Sequence, residues 1–405
     1  MEKITERLME YVKHYTTSDG SVDVVPSTER QRTFAEFLKK ELEEMGVKDV
    51  VIDEKSFLMA KIPSNVEKEV PAVGFIAHLD TAPDAAGENV KPQIHRNYDG
   101  GILKISDTVS VDPEVSTDLK LYKGHDIITS DGTTLLGGDD KAGIAAIMTA
   151  AEYFINNPQV PHGDICIAFT PDEEIGVGGS HFNVEAFGAD FAFTVDGETM
   201  GEFNCETFNA AEVTVVVNGH NVHPGNAKGQ MINAADIACE LATMMPALER
   251  PEYTEGYEGF FHLCEMQGDV EHTELVYIIR DFYKDKLEDK KVRFQQIADK
   301  VNEKYGAGVV ELRIVDEYSN MKEAFEGKED IIECARKAYE ACGLEYTLKP
   351  IRGGTDGSKL SFRGLPCPNI FAGGNNFHSV SEFVSVQAMR KACDVVIEII
   401  ESLAR

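Results

Sequence analysis

The chain has no run of about 18 consecutive apolar residues, so no stretch of it reads as a membrane-spanning helix. Its first stretch, MEKITERLMEYVKHY, is amphipathic and charged, and lacks the apolar core of a signal peptide. Eight cysteines lie at 166, 205, 239, 264, 334, 342, 367 and 393, and no two of them form a CxxC. That argues against a cysteine zinc knuckle or a thioredoxin-like motif. Scattered thiols in a long chain point to reduced, mostly buried side chains, and so to a cytoplasmic protein. Basic residues are also scarce: 39 Lys plus Arg stand against 70 Asp plus Glu, a formal net charge of −31. A surface this acidic repels nucleic acid and anionic membranes, so neither is expected as a partner. Internal repeats, low-complexity tracts and long flexible linkers are missing as well. The segment GGTDGSK lacks the spacing of a P-loop and follows no clear strand into a helix, which excludes phosphate binding of that kind.

What is present is a long chain with ample core material. Its 405 residues suggest more than one domain, and 42% hydrophobic content can fill full cores. Near-continuous apolar runs such as PAVGFIAHLD, DICIAFTPDEE and FAFTVDGE read as strands buried on both faces. Between them, helical periodicity recurs, as in Ile4, Leu8, Met9 and Val12, in FAEFLKKELEEMG up to Gly46, and over Lys141 to Ile155. Thr28 and Gln31 have the spacing of a capping box for the second of these helices. Strands alternating with helices predict an α/β fold, a mostly parallel sheet with helices on both faces.

The pattern changes near residue 208. AEVTVVVNG alternates with Val213, Val215 and Val217 on one face. A helix, two strands, a charged helix and VVELRIVDEY follow. The order β-α-β-β-α-β predicts an inserted α+β domain with a four-stranded antiparallel sheet and two helices. The expected division is 1–207 for the first part of the main domain, 208–320 for the insert and 321–405 for the second part. The closing helix, from about Val386, has Ser385 as its expected N-cap.

The chain is organised around TLLGGDDKAGIAAIM, where Asp139 and Asp140 follow two glycines and precede an apolar helix. Alone, such a pair is usually a helix cap, since the helix dipole favours acids there. Three buried-strand patterns, however, also end in groups that bind metals or move protons. They are His78 and Asp80, then Glu173 and Glu174, then Asp196, with a late His378 in GGNNFHS. Parallel strands bring their C-terminal ends to one edge, so these groups form a candidate site together with Asp140. Two imidazoles and several carboxylates suit a pair of zinc-like divalent ions, each with one imidazole and one carboxylate, and a third carboxylate between them. Two such ions are a known device for hydrolysing peptides and esters, and a further carboxylate can take the proton of the attacking water. Adjacent Glu173 and Glu174 can face different ways, so one can bind metal while the other stays free.

AHLDTAPD, LLGGDDKAG, TPDEEIGVG, TVDGE and NNFHS resemble the dinuclear zinc aminoacylase and carboxypeptidase superfamily, and within it the tripeptide aminopeptidases. The resemblance spans nearly the whole chain, insert included. It implies two Zn2+ per subunit, with Co2+ or Mn2+ as substitutes, and a short peptide as substrate. It implies His78 as a ligand of one metal, oriented by Asp80, and Asp140 as the bridge. Glu173 matches the general base and Glu174 a ligand of the second metal. Asp196 completes the first site and His378 the second. The insert resembles the superfamily's lid, through which relatives often form a homodimer. Its His223, before Pro-Gly, is the expected oxyanion donor, while Arg280 and Arg352 could clamp a substrate carboxylate. Gly137 and Gly138 together make the turn more glycine-rich than the superfamily's, which is expected to alter loop stiffness and not ligation. Alternatives on the same fold are a dipeptidase, aminoacylase or deacetylase, or a binding protein without catalysis.

Overall fold

A computed structural model describes residues 2–405. Chain contacts divide the protein into two units. The larger holds the residues up to Cys205 together with Ala324–Lys349 and Thr355–Arg405. The smaller holds Glu206–Glu323 and a five-residue return, Pro350–Gly354. Among the described residues, no helix is long and apolar enough to cross a membrane.

The larger unit is built on an eight-stranded sheet. Its spatial order is Asp49–Ile52, Leu58–Ile62, Ile165–Thr170, Val73–His78, Phe191–Gly197, Asn369–Phe371, Glu202–Asn204 and Thr347–Leu348. The four central strands, from Ile165–Thr170 to Asn369–Phe371, run parallel. Antiparallel ladders flank them on both sides. Every residue of Val73–His78 and of Ile165–Thr170 is buried, which is why those runs are apolar without alternation. The Gly138–Asn156 helix packs on Val73–His78 and Phe191–Gly197, and against the helices Lys3–Tyr11 and Val386–Ala404. Its small residues bring it close to the sheet: a Cβ on Gly143 would lie 2.0 Å from the Val195 carbonyl oxygen.

The Glu29–Met45 helix stops where expected, at Gly46 with φ +105°. Its start differs from the expectation, because Thr28 and Gln31 form no capping box. The Thr28 hydroxyl donates to the Thr17 carbonyl, and Gln31 reaches the Asp172 carboxylate at 2.6 Å. Gln31 also donates to the Thr28 hydroxyl at 3.1 Å, but neither side chain caps a backbone amide of the helix. Ser385 does cap the last helix, accepting from the Ala388 amide at 3.2 Å. A second sheet, ordered Gly374–Asn375, Phe383–Ser385, Ile127–Thr129 and Gln93–His95, anchors the segment around His378.

The smaller unit is a four-stranded sheet ordered Phe260–Gly268, His272–Asp281, Asn209–Asn218 and Val310–Tyr318, antiparallel throughout. The helices Ala234–Met244 and Lys284–Tyr305 pack on it. Val213, Val215 and Val217 alternate into the core beneath them, with Ile237, Leu241 and Phe294. Burying each valine contributes about 1.5–3 kcal/mol, enough to fix the register of the central strand.

Candidate active site

The central strands deliver their ends to one place. His78 closes the Val73–His78 strand opposite Thr170, and Asp196 sits near the end of Phe191–Gly197. Beyond Thr170 the chain turns at Asp172, whose φ of +57° lies in the left-handed region. That strained turn is held from outside. The Asp172 carboxylate accepts from the Ser27 amide at 2.7 Å, from the Ser27 hydroxyl and from Gln31, and the Asp172 amide donates to Gln31 at 3.0 Å. Glu173 and Glu174 follow at once.

Asp80 ties the two strand ends together. It is fully buried. Its Oδ1 accepts from the Glu173 amide at 3.0 Å and its Oδ2 from the Glu174 amide at 3.2 Å. Nδ1 of His78 lies 3.0 Å from the Asp80 backbone carbonyl oxygen and 3.5 Å from the same carboxylate, which leaves Nε2 to face the cluster. Nε2 is 2.9 Å from Asp139 Oδ1 and 3.5 Å from Asp196 Oδ1. His378 arrives from the opposite side on a left-handed backbone, φ +59°. Its Nε2 is 2.9 Å from Glu174 Oε2 and 3.5 Å from Asp139 Oδ2, while Asp84 stands 3.3 Å from its Nδ1.

The acid between the two imidazoles is therefore Asp139. The expected bridge is Asp140; the structure sets Asp139 near both imidazoles. The backbone leaves helical geometry at both residues, with ψ of 104° at Asp139 and 34° at Asp140. Asp140 points the other way, and its oxygens accept from the His78 amide and the Gly143 amide, each at 3.2 Å. Asp140 still shares a group with His78 and Asp196 that could hold an ion, beside the group of His78, Asp139 and Glu174. In both groups the offered atoms lie within 4.8 Å of one another.

Electrostatics make this cluster hungry for positive charge. Burial, then the Asp139 carboxylate, pushes Glu174 up to about 8. Burial also lifts Asp196 to about 6, and holds Glu173 and Asp140 well above the usual carboxylate range. Burial works against a charge on His78, but Asp196 and Asp139 outweigh it and raise the imidazole. Bonds to Asp139 and Glu174 carry His378 up to about 11. The buried carboxylates repel one another, which favours a positive charge placed among them. Glu174 Oε1 is buried and has no hydrogen-bond partner, an orphan that a cation would satisfy. Imidazole and carboxylate donors in this mixture fit zinc-like divalent ions, and the cluster can hold metal.

Glu173 stands apart from the ligand groups. Its Oε1 accepts from the Asp356 amide at 3.3 Å, at the start of the Asp356–Phe362 helix. The three remaining predicted residues belong to the smaller unit. His223 is exposed and accepts from the Gly225 amide at 3.1 Å. Arg280 pairs with Glu317 at 2.8 Å and donates to the Ala211 and Ile279 carbonyls. Arg352 donates to the Gly256 and Glu258 carbonyls, both at 2.8 Å, and to the Thr254 hydroxyl at 2.9 Å. Its guanidinium also lies over the Phe208 ring, 5.2 Å from the centroid.

Known proteins resemble this chain in sequence and in fold. Residues 115–402 match peptidase family M20/M25/M40. Peptidase T of Clostridium perfringens is 52% identical over 404 residues, covering 100% of both chains. A tripeptidase from Staphylococcus aureus shares the fold at a TM-score of 0.79 and 23% identity, covering 100% of this chain and 98% of that one. A dinuclear metal-binding M20 peptidase from Bacillus subtilis follows at 0.66 and 14% identity, with 99% and 97% covered. The chain belongs to the peptidase T branch of peptidase family M20/M25/M40 and is a hydrolase that cleaves peptides.

Proposed function

We propose that this peptidase is an aminopeptidase of the cytoplasm that removes the N-terminal residue of tripeptides, using two divalent cations, zinc by preference. The observation that carries the reading is Asp139 lying within reach of both imidazoles, 2.9 Å from His78 and 3.5 Å from His378. In this reading His78 and Asp196 hold one cation, Glu174 and His378 the other, and Asp139 is shared. Asp140 offers a further oxygen beside His78 and Asp196. When bound, two such ions polarise a peptide carbonyl and acidify a water. Cobalt or manganese should substitute for zinc. Cys166, Cys367 and Cys393 are buried free thiols, which suits a reducing compartment.

The chain's own groups would do the rest. Asp80 orients His78 and holds the Glu173 amide. Glu173 takes the proton of the attacking water and returns it to the leaving amine. Its raised affinity for a proton suits that task. His223 is proposed as the oxyanion donor, and Arg280 and Arg352, which also bond within the smaller unit, as a clamp for a substrate carboxylate. A fixed distance from that carboxylate to the scissile bond would select for three residues. The name of the Staphylococcus aureus neighbour, a tripeptidase, supports the same length. A homodimer is the assembly we expect.

Metal analysis with a peptide series tests this reading. Purified protein should carry two zinc ions, release the first residue of tripeptides, and act far more slowly on dipeptides and N-acyl amino acids. Glu173→Ala should keep its metal and lose at least about a thousandfold in kcat, the scale of general-base catalysis. Retained turnover would end the role given to Glu173. A preference for dipeptides or acylated amino acids would replace the substrate class.

A further inference from the structure

Glu382 has no place in the mechanism above, yet it is only 1% exposed. Its partners are backbone N–H groups of the turn that carries Asp139. Oε2 accepts from the Leu136 amide at 2.7 Å and the Gly137 amide at 2.8 Å. Oε1 accepts from the Asp139 amide at 3.0 Å. Three donors on one buried carboxylate make a clamp, since charge-assisted bonds are roughly twice as strong as neutral ones.

The clamp also reaches the other side of the site. Glu382 lies four residues after His378, and its amide donates to the Ser379 carbonyl at 3.2 Å. Directly after it, Phe383–Ser385 pairs with Ile127–Thr129 in the second sheet. One side chain thus joins the segment of His378 to the segment of Asp139, residues far apart in sequence whose side chains meet at 3.5 Å.

The paired glycines now have a reason. Gly137 takes φ +79°, a conformation that favours glycine. A Cβ on Gly138 would stand 2.4 Å from Val384 Cγ2 and 3.1 Å from Glu382 Oε1. Without side chains, the turn settles onto Glu382 and Val384.

We infer that Glu382 is a positioning residue for the metal centre: by gripping the turn of residues 136–139, it sets the Asp139 carboxylate between His78 and His378. The inference rests on the two-cation reading above. Partners of this kind, one step removed from the metal, are worth about 10- to 100-fold in metal affinity or activity.

Zinc titration of the chelator-stripped full chain tests it, with cobalt absorption spectra, steady-state kinetics and melting of the metal-free protein alongside. Glu382→Gln keeps the shape but offers a single acceptor oxygen, so at least one of the three amides loses its partner. The expected result is zinc binding weakened at least tenfold at one site, an altered cobalt spectrum, and a kcat loss larger than any change in KM. Gly138→Ala leaves the carboxylate in place and pushes the turn off it, so it should shift zinc affinity in the same direction. Val384→Ala added to it should restore part of the loss. A Glu382→Gln protein that melts lower but keeps both zinc affinities and the wild-type cobalt spectrum would overturn the inference. Should that variant not fold, unchanged zinc affinity in Gly138→Ala would overturn it equally. Wild-type protein that binds no pair of cations would sink the metal reading itself, and the inference with it.

Discussion

Replacing Asp80 with Asn isolates one fastening of the site. The carboxylate serves two buried amides, Glu173 at 3.0 Å and Glu174 at 3.2 Å, each through its own oxygen. Asparagine has one carbonyl oxygen, so one amide must face an NH2 group and stay unpaired. An unpaired buried donor costs about 1–3 kcal/mol. Taking about 2 kcal/mol, and about 2–4 °C per kcal/mol for a domain of this scale, the melting temperature should fall by roughly 4–8 °C. That part is independent of metal and should appear in chelator-treated protein. A second part should appear only in zinc-loaded protein, because the group 3.5 Å from Nδ1 of His78 loses its charge while the Asp80 backbone carbonyl at 3.0 Å stays. A ten- to 100-fold weaker zinc affinity would remove roughly 1.4–2.8 kcal/mol of ligand-linked stability. Calorimetry of both forms separates the two parts. An Asp80→Asn protein that melts within 1 °C of wild type, with and without zinc, would refute the reasoning.

Three other perturbations reach separate parts of the molecule. Gly143→Ala places a Cβ 2.0 Å from the Val195 carbonyl oxygen and 2.4 Å from Asp140 Oδ1, so urea unfolding should show a loss of about 3 kcal/mol, and a loss under about 1 would contradict the packing described. Arg352→Lys removes a forked donor from the loop of residues 254–258, and amide exchange there should quicken while the rest of the chain is unchanged; equal protection would show that the fork does not hold the loop. Asp131 is held down to about 2 by the Thr133 hydroxyl, then the Thr133 amide and Lys91. Its unfolded value is about 3.9, so the stability it adds is complete above roughly pH 5 and lost as pH falls toward 2. Asp131→Asn should therefore be less stable than wild type at pH 7, by a gap that shrinks to about a third at pH 2.5; a gap that stays constant with pH would rule out ionisation as its source.

Much of the site was legible because buried strands announce themselves. An apolar run that ends abruptly in His-Leu-Asp or Asp-Glu-Glu marks both the strand and the point where it delivers chemistry. That signal singles out His78, Asp80, Glu173, Glu174 and Asp196 as candidates, whereas His378 comes from the late NNFHS segment. Choosing between Asp139 and Asp140 was different. It depends on backbone angles at two consecutive acids, and nothing in their side-chain chemistry differs. Glu382 was invisible for a related reason, since its partners are amides, which every sequence contains. Gln31 shows the converse, because the spacing of a capping box is present, yet its side chain serves the Thr28 hydroxyl and a distant carboxylate and caps no backbone amide of its helix. The short strands Glu202–Asn204, Thr347–Leu348 and Asn369–Phe371 offer too few residues for any periodicity to register.

The five-residue return Pro350–Gly354 matters to anyone who wishes to transplant the smaller unit. A graft cut at Glu206 and Glu323 would look complete on paper, with every strand and helix of its sheet aboard. It would leave Arg352 behind, and with it the rivet through the loop at Thr254, Gly256 and Glu258. A sound excision needs a spliced peptide or a circularly permuted gene that carries the straggler along.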